Sequence, residues 1–289
     1  MSKKLKILIG IIGIIIILAI LGSTPSSRVG NPVAIQEFTV VKTDDNNYKY
    51  LLVLIDNKQR EIATSGLLTI VIEDKFGNIL YNKSNRIDAE DFKTYRRVLT
   101  GAPIFGYSEI ILRDEIKKGF SSGGIVEVVF KTDSGRTFSA SKKVYSLPAM
   151  SDEELENYFE SEYLKNSTKI NNTIKKEGLE LTVIRYGWYK KLKYDLEEYF
   201  RIDVKVRNYG NEERGIYVGG AKIIDDKGKQ YNARWNSKFE SGKIQPGAFI
   251  EGYLLFKDIP KDAKNFKLVW KDGYIPETGY LTFEVEFEI

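Results

Sequence analysis

Apolar and polar residues alternate in short runs along most of this 289-residue chain, and the runs are separated by Gly, Asn and Asp. That is the period of two expected of half-buried strands, and helical periodicity is nearly absent. The pattern predicts strands at Val33–Thr43, Tyr48–Asn57, Leu67–Glu73, Asn78–Asn82, Gly106–Leu112, Ile125–Thr132 and Thr137–Tyr145. A second set follows at Leu179–Tyr186, Tyr199–Asn208, Gly220–Ile224, Gln230–Ala233, Phe249–Phe256, Phe266–Trp270 and Tyr280–Ile289. Many short strands with turns between them predict an all-β fold of two tandem sandwiches, over residues 33–147 and 178–289.

Two segments break the alternation. Ile7 to Leu21 is an unbroken uncharged run, and extended over residues 5–22 it makes a helix of roughly 25 Å. Lys3, Lys4 and Lys6 flank it on the N-terminal side only, so the positive-inside rule predicts a signal anchor over residues 1–22 with a cytoplasmic N-terminus and extracellular domains. A cleaved signal peptide is the rival reading. Residues 23–32, rich in Ser, Pro and Gly, read as a tether. The second break lies in residues 148–177, read as a linker with a short helix. Ser151 and Glu154 have capping-box spacing, and Leu155, Tyr158, Phe159 and Tyr163 share one face.

The two strand sets also resemble each other. Tyr48–Asn57 parallels Tyr199–Asn208, and twenty residues beyond each closing Asn stands a turn glycine, Gly77 or Gly228. Glu73-Asp74-Lys75 and Asp225-Asp226-Lys227 precede those glycines. This spacing predicts an internal duplication.

Composition narrows the chemistry. The chain has no Cys and no His, which excludes disulfides, zinc sites of the usual nitrogen and sulfur type, and nucleophilic triads built on His. No cofactor or metal is expected. Without Lys3, Lys4, Lys6 and Arg28, the 44 basic residues fall to 40 against 40 acids, so no nucleic-acid partner is expected. Carboxylate pairs occur at Asp44/Asp45, Glu90/Asp91, Asp225/Asp226 and Asp258/Asp262, all at expected turns or strand ends. They leave a carboxylate-dependent hydrolase of envelope glycans as a minor alternative, and no catalytic residue is assigned.

The most suggestive surface segment is Arg185–Tyr194, where aromatic and basic residues interleave. Tyr186, Trp188, Tyr189 and Tyr194 are its candidate ligand contacts, for stacking on a polysaccharide or anchoring an envelope protein. The alternative is that Trp188 and its neighbours close one end of the core. Asn82, Asn166 and Asn171 begin glycosylation sequons.

Tyr199-Phe-Arg-Ile-Asp-Val-Lys-Val-Arg-Asn-Tyr-Gly210, Lys222–Tyr231, Ile244-Gln-Pro-Gly247 and Glu251–Ala263 together carry a family resemblance. Over residues 178–289 the chain resembles the extracellular immunoglobulin-like (telokin-like) domains of bacterial and archaeal lipoproteins and anchored proteins. The resemblance implies a sandwich fold and an extracellular setting, with no activity attached. The expected role is a non-enzymatic binding or envelope-assembly module, with a carbohydrate-binding module as the alternative.

Overall fold

The computed structural model describes residues 28–97, 101–275 and 279–288, with side chains omitted over 272–280. The anchor expected over residues 5–22, and the tether as far as residue 27, lie outside the described residues. Among the described residues no helix is long and apolar enough to cross a membrane. The fold is predominantly β, and the chain divides between Ser151 and Asp152 into two compact units.

The first unit holds β1 (Ala34–Lys42), β2 (Tyr48–Ile55), β3 (Glu61–Ile62), β4 (Gly66–Asp74), β5 (Ile79–Ile87), β6 (Lys93–Arg96), β7 (Pro103–Ile111), β8 (Gly124–Thr132) and β9 (Thr137–Val144). The second opens with α1 (Asp152–Asn166). It continues through β10 (Thr168–Lys176), β11 (Leu179–Leu192), β12 (Leu196–Asn208), β13 (Arg214–Ile216), β14 (Ala221–Asp225), β15 (Gln230–Asn232), β16 (Gly242–Ile244), β17 (Phe249–Phe256), β18 (Asn265–Ile275) and β19 (Gly279–Glu288).

The two units share a strand order. In the first, β1-β2-β7 lie in one sheet and β5-β4-β8-β9 in another; in the second, the matching triplet is β11-β12-β17 and the matching quartet β15-β14-β18-β19. Each unit has one main core drawn from both of its sheets. Tyr50, Leu52, Leu68, Val128 and Phe130 meet in the first, and Phe200, Ile202, Ile223, Leu254 and Trp270 in the second. The alternation that predicted the strands is the alternation that fills these cores.

Burial corrects the alignment of the halves. Tyr48, Tyr50, Leu52, Leu54 and Asp56 point inward from the first, and Phe200, Ile202, Val204, Val206 and Asn208 from the second. Tyr48 therefore corresponds to Phe200, one residue from the pairing that the sequence suggests. Aligning Tyr48 with Tyr199 would turn one strand inside out. The equal twenty-residue spacing is a coincidence, although the duplication of topology is present. Likewise Asp74 corresponds to Asp225, not to Asp226.

One turn recurs in five hairpins among the described residues. It begins at Thr43, Asp56, Asp74, Thr132 and Asp225. In each, the amide of the first residue donates to the carbonyl of the fifth, and the amide of the fourth returns to the carbonyl of the first, at 2.8–3.0 Å. The fourth residue is left-handed in every case: Asn46, Gln59, Gly77, Gly135 and Gly228, with φ between 59° and 87°. The three aspartates add their side chains. Asp74 Oδ1 accepts the Phe76 and Asn78 amides at 2.9 and 3.0 Å, and its Oδ2 accepts the Phe120 amide at 2.8 Å. Asp225 Oδ1 does the same for Lys227 and Lys229, and Asp56 Oδ1 for Lys58 and Arg60. These carboxylates are buried because turn amides satisfy them.

From Asp152 on, the segment read as a linker is part of the second unit. β10 pairs with β11 as an edge strand, interrupted by a bulge between Lys169 and Asn172, and Asn171 sits at φ 51°. Its Thr, Lys and Asn side chains gave no apolar run, which is why the sequence leaves it irregular. The short β3, β6, β13 and β16 escape because two to four residues are too few to show an alternation.

α1 lies on the outer face of the β11–β12 pair. Leu155, Phe159 and Tyr163 are buried, at i, i+4 and i+8, while Tyr158 is exposed, contrary to the expected face. The dock is polar at its centre. The buried Arg201 guanidinium of β12 lies 4.1 Å from the ring centre of Tyr163, 3.9 Å from that of Tyr253 and 5.1 Å from that of Tyr189. It donates to Glu160 of α1 at 3.0 Å and to Asp203 at 2.7 Å. Burial works against its charge, but these carboxylates hold it firmly protonated; burial also raises the Asp203 carboxyl above its ordinary range despite Arg201. In the first unit the matching position is Lys49, whose ammonium lies 6.0 Å from the ring centre of Tyr95.

Two stability predictions follow from these contacts. Asp74→Ala strands the amides of three half-buried residues and lowers the unfolding free energy by about 3 kcal/mol, whereas Gly77→Ala, whose added methyl meets nothing within 4 Å, costs about 1 kcal/mol through its φ alone. Urea unfolding followed by circular dichroism measures both. Arg201→Ala leaves Glu160 without its counter-charge and Asp203 with only Arg185, at 3.8 Å, and costs about 3 kcal/mol; hydrogen exchange should show α1 losing protection before β14 and β18 do. Unchanged exchange in α1 would mean that its apolar stripe alone docks it.

Candidate functional site

The four aromatic residues singled out in Arg185–Tyr194 do not form one surface. A bulge between Val183 and Arg185 shifts the register of β11. Beyond it Tyr186 points into the core, lies tilted against Phe287 with ring centres 4.6 Å apart, and donates its hydroxyl to the Glu288 carbonyl. Trp188 is half-buried, packs edge-on against Phe200 at 5.5 Å, and is covered by the Lys261 ammonium at 5.3 Å. Tyr189 faces the other way and is buried beneath α1, against Tyr163 at 5.9 Å, and burial pushes its phenol up to about 12. Tyr194, at the hairpin tip, is 80% exposed. The core-closing alternative therefore describes Tyr186 and Trp188, and the helix dock describes Tyr189.

The largest displayed aromatic is one that the sequence did not flag. Trp235 lies between β15 and β16 and is fully exposed, at 103% of the reference area. Its loop is nonetheless fixed. The Arg234 amide donates to the Leu255 carbonyl at 2.8 Å, and the Ser237 amide closes a turn onto the Arg234 carbonyl at 3.1 Å. Ser237 Oγ accepts the Leu255 amide at 2.9 Å, and the Tyr253 amide donates to the Lys238 carbonyl at 3.0 Å. Asn236 Nδ2 reaches the Tyr199 hydroxyl at 3.1 Å, and Phe239 anchors the far end in the core, edge-on to Trp270.

Gly252 on β17 makes this docking possible. A Cβ there would stand 2.1 Å from the Lys238 carbonyl oxygen. The signal in the sequence is a lone tryptophan among turn-formers, Asn232-Ala-Arg-Trp-Asn-Ser-Lys238, outside any alternating run.

Two clefts border the loop. One of about 420 Å³ is lined by Lys229, Tyr231, Arg234, Trp235, Lys257 and Asp258. The other, about 350 Å³, has Leu155, Phe159 and Leu192 in its lining and Lys191, Lys193 and Lys238 around them. Lys257 pairs with Glu197 at 2.9 Å, and hydrogen bonds from Tyr199 and Lys257 hold the Glu197 carboxyl below its usual range. Lys238 pairs with Glu156 of α1, which ties the loop to the helix. Lys191, Lys193, Lys229 and Arg234 show no carboxylate partner among the described residues.

The carboxylate pairs serve the fold. Asp225 caps its turn, Asp262 pairs with Lys227 at 3.1 Å, and Asp91 accepts the Asp88 amide at 2.8 Å. Among the described residues no group of three or more acidic side chains could hold a metal ion. Asn82, Asn166 and Asn171 are all exposed, on β5, at the last residue of α1 and on β10.

Residues 168–280 match a family described as a domain of unknown function, DUF4352. The chain is 25% identical over 263 residues to an uncharacterized protein, MJ1535, of Methanocaldococcus jannaschii, covering 89% of this chain and 81% of that one. Among solved structures it is similar to a functionally unknown protein from Listeria monocytogenes, with 11% identity and a TM-score of 0.35 over 43% of this chain and 83% of that one. It is also similar to the yjhA protein of Bacillus subtilis, with 16% identity and a TM-score of 0.33 over 41% and 98%. The second unit thus carries a match to a domain family whose function is unknown, and a relative matched over most of the chain is a distant archaeal protein.

Proposed function

We propose that this chain is a non-enzymatic, membrane-anchored binding module, two tandem immunoglobulin-like sandwiches held outside the cell by residues 5–22. The shared strand order and the single main core in each unit support the tandem sandwich. The apolar run behind three lysines supports the anchor.

Trp235 carries the binding reading. A fully exposed indole is costly to keep in water, and flexible loops normally fold such a ring back onto the protein. Here six hydrogen bonds made by its neighbours and a buried Phe239 fix the loop on either side of it. A rigid, displayed tryptophan loses little freedom on binding, which is why such residues dominate interface energetics. The partner proposed is an envelope protein. A polysaccharide is the second reading, favoured by Tyr194, which presents another open ring beside Lys193.

The test is cross-linking on intact cells followed by capture of the tagged full-length chain. Trp235→Ala should weaken binding of one reproducibly captured envelope protein by about 30-fold or more, with the urea midpoint unchanged. Equal capture by wild type and variant would remove Trp235 from the interface. Retention on cell-surface polysaccharide that drops in Trp235→Ala and Tyr194→Ala would favour the second reading, and capture of cytoplasmic proteins would overturn the topology.

A further inference from the structure

The first unit contains a cavity of about 900 Å³ at the end where the chain enters it. Three arginines line it, Arg28, Arg60 and Arg136, against two carboxylates, Asp56 and Glu61. Both carboxylates are already engaged by the fold. Asp56 is buried; its Oδ1 takes the Lys58 and Arg60 amides, and its Oδ2 takes Arg60 Nε and Nη2 at 2.8 and 2.6 Å. Those hydrogen bonds from Arg60 hold the carboxyl below its usual range, so it stays an acceptor. Glu61 Oε2 takes the Phe105 amide at 2.9 Å.

The guanidinium groups, by contrast, have donors to spare. Arg60 commits Nε and Nη2 and leaves Nη1. Arg136 gives Nη1 to the Pro32 carbonyl at 3.3 Å, with its other two nitrogens uncommitted. Arg28 stands 3.5 Å from Glu61, with its guanidinium 5.2 Å from the Phe105 ring centre. All three are positioned by the fold. Residues 28–30 are pinned to Ala63 by two backbone hydrogen bonds of 2.8 and 3.0 Å, Arg60 closes the Asp56 turn, and Arg136 closes the Thr132 turn. Asn31 and Gln36 lie in the same lining.

We propose that this cavity is a binding site for a phosphate group, held by Arg28, Arg60 and Arg136. A cavity whose two carboxylates are engaged by backbone amides and whose lining holds three guanidinium groups suits an anion rich in acceptors. Guanidinium forks match the tetrahedral oxyanion better than ammonium groups do. The phosphate can belong to a soluble metabolite or to a lipid headgroup. The lipid source rests on the anchor reading proposed above. Arg28 stands six positions beyond Gly22, a reach of at most about 20 Å, which would hold the cavity near the bilayer surface.

Phenylglyoxal modifies accessible arginines, and mass spectrometry reads each site. With the full-length chain in neutral detergent, inorganic phosphate at about ten times its dissociation constant should slow modification of Arg60 and Arg136 about tenfold relative to chloride of equal ionic strength. Arg207, exposed on β12, should not change. Arg136→Gln should abolish the protection of Arg60 by phosphate; unchanged protection would mean that the two do not share a site and would sink the proposal. In vesicles, protection by phosphatidylglycerol but not by phosphatidylcholine identifies the lipid as the source. Protection by free phosphate alone identifies a soluble ligand and leaves the site standing without the anchor. No selective protection in either setting overturns it.

Discussion

A single oxygen atom placed at the first residue of a turn controls the register of both units. Strand pairing fixes faces only in steps of two, so a hairpin that slips by one residue would expose its whole core face. In three hairpins a buried aspartate prevents this by binding the second and fourth amides beyond it, and Thr132 does a reduced version with its hydroxyl. The left-handed fourth residue completes the geometry, and glycine supplies it at three of the five positions. Asp74 goes further by also binding the Phe120 amide, which fastens the β7–β8 connection to the β4–β5 turn. The sheets carry the cores, and the turns decide which residues reach them.

Much of this was legible. Alternation located strands such as β4, β8 and β14 because each buries one face, and Gly77 and Gly228 marked two hairpins because φ near 80° excludes most other residues. What the pattern could not give was phase. Tyr48 and Tyr199 look equivalent as letters, yet one points into a core and the other, beside it, does not match, since the neighbour Phe200 takes the inward place. The candidate site failed on the same kind of detail. A single bulge after Val183 decides which of Tyr186, Trp188 and Tyr189 faces the core and which faces α1, and bulges have no fixed sequence mark. Trp235 was readable only as an aromatic residue where turn-formers predict none to be buried.

The second unit uses the outer face of its first sheet differently from the first unit. In the first, Leu51 and Val53 of β2 meet Tyr95 and Ile104 in a small apolar cluster on that face. In the second, the matching stretch of β12 carries Arg201 and Asp203, and α1 covers them. Tyr253 belongs both to the cage around Arg201 and, through its amide, to the docking of the Trp235 loop. Helix and loop are thereby linked through Tyr253 and through the pair of Lys238 with Glu156, and the loop that displays the indole is tied to that dock.

β10 carries one further consequence. As the outermost strand of its sheet it presents unpaired backbone groups to solvent, which in principle invites another strand to add. Its bulge, the left-handed Asn171 and the run of Lys, Asn and Thr side chains spoil that template along its length. Copies of such a chain crowded together at high local concentration could stay separate instead of polymerising edge to edge, so the strand that adds least to the core guards against aggregation.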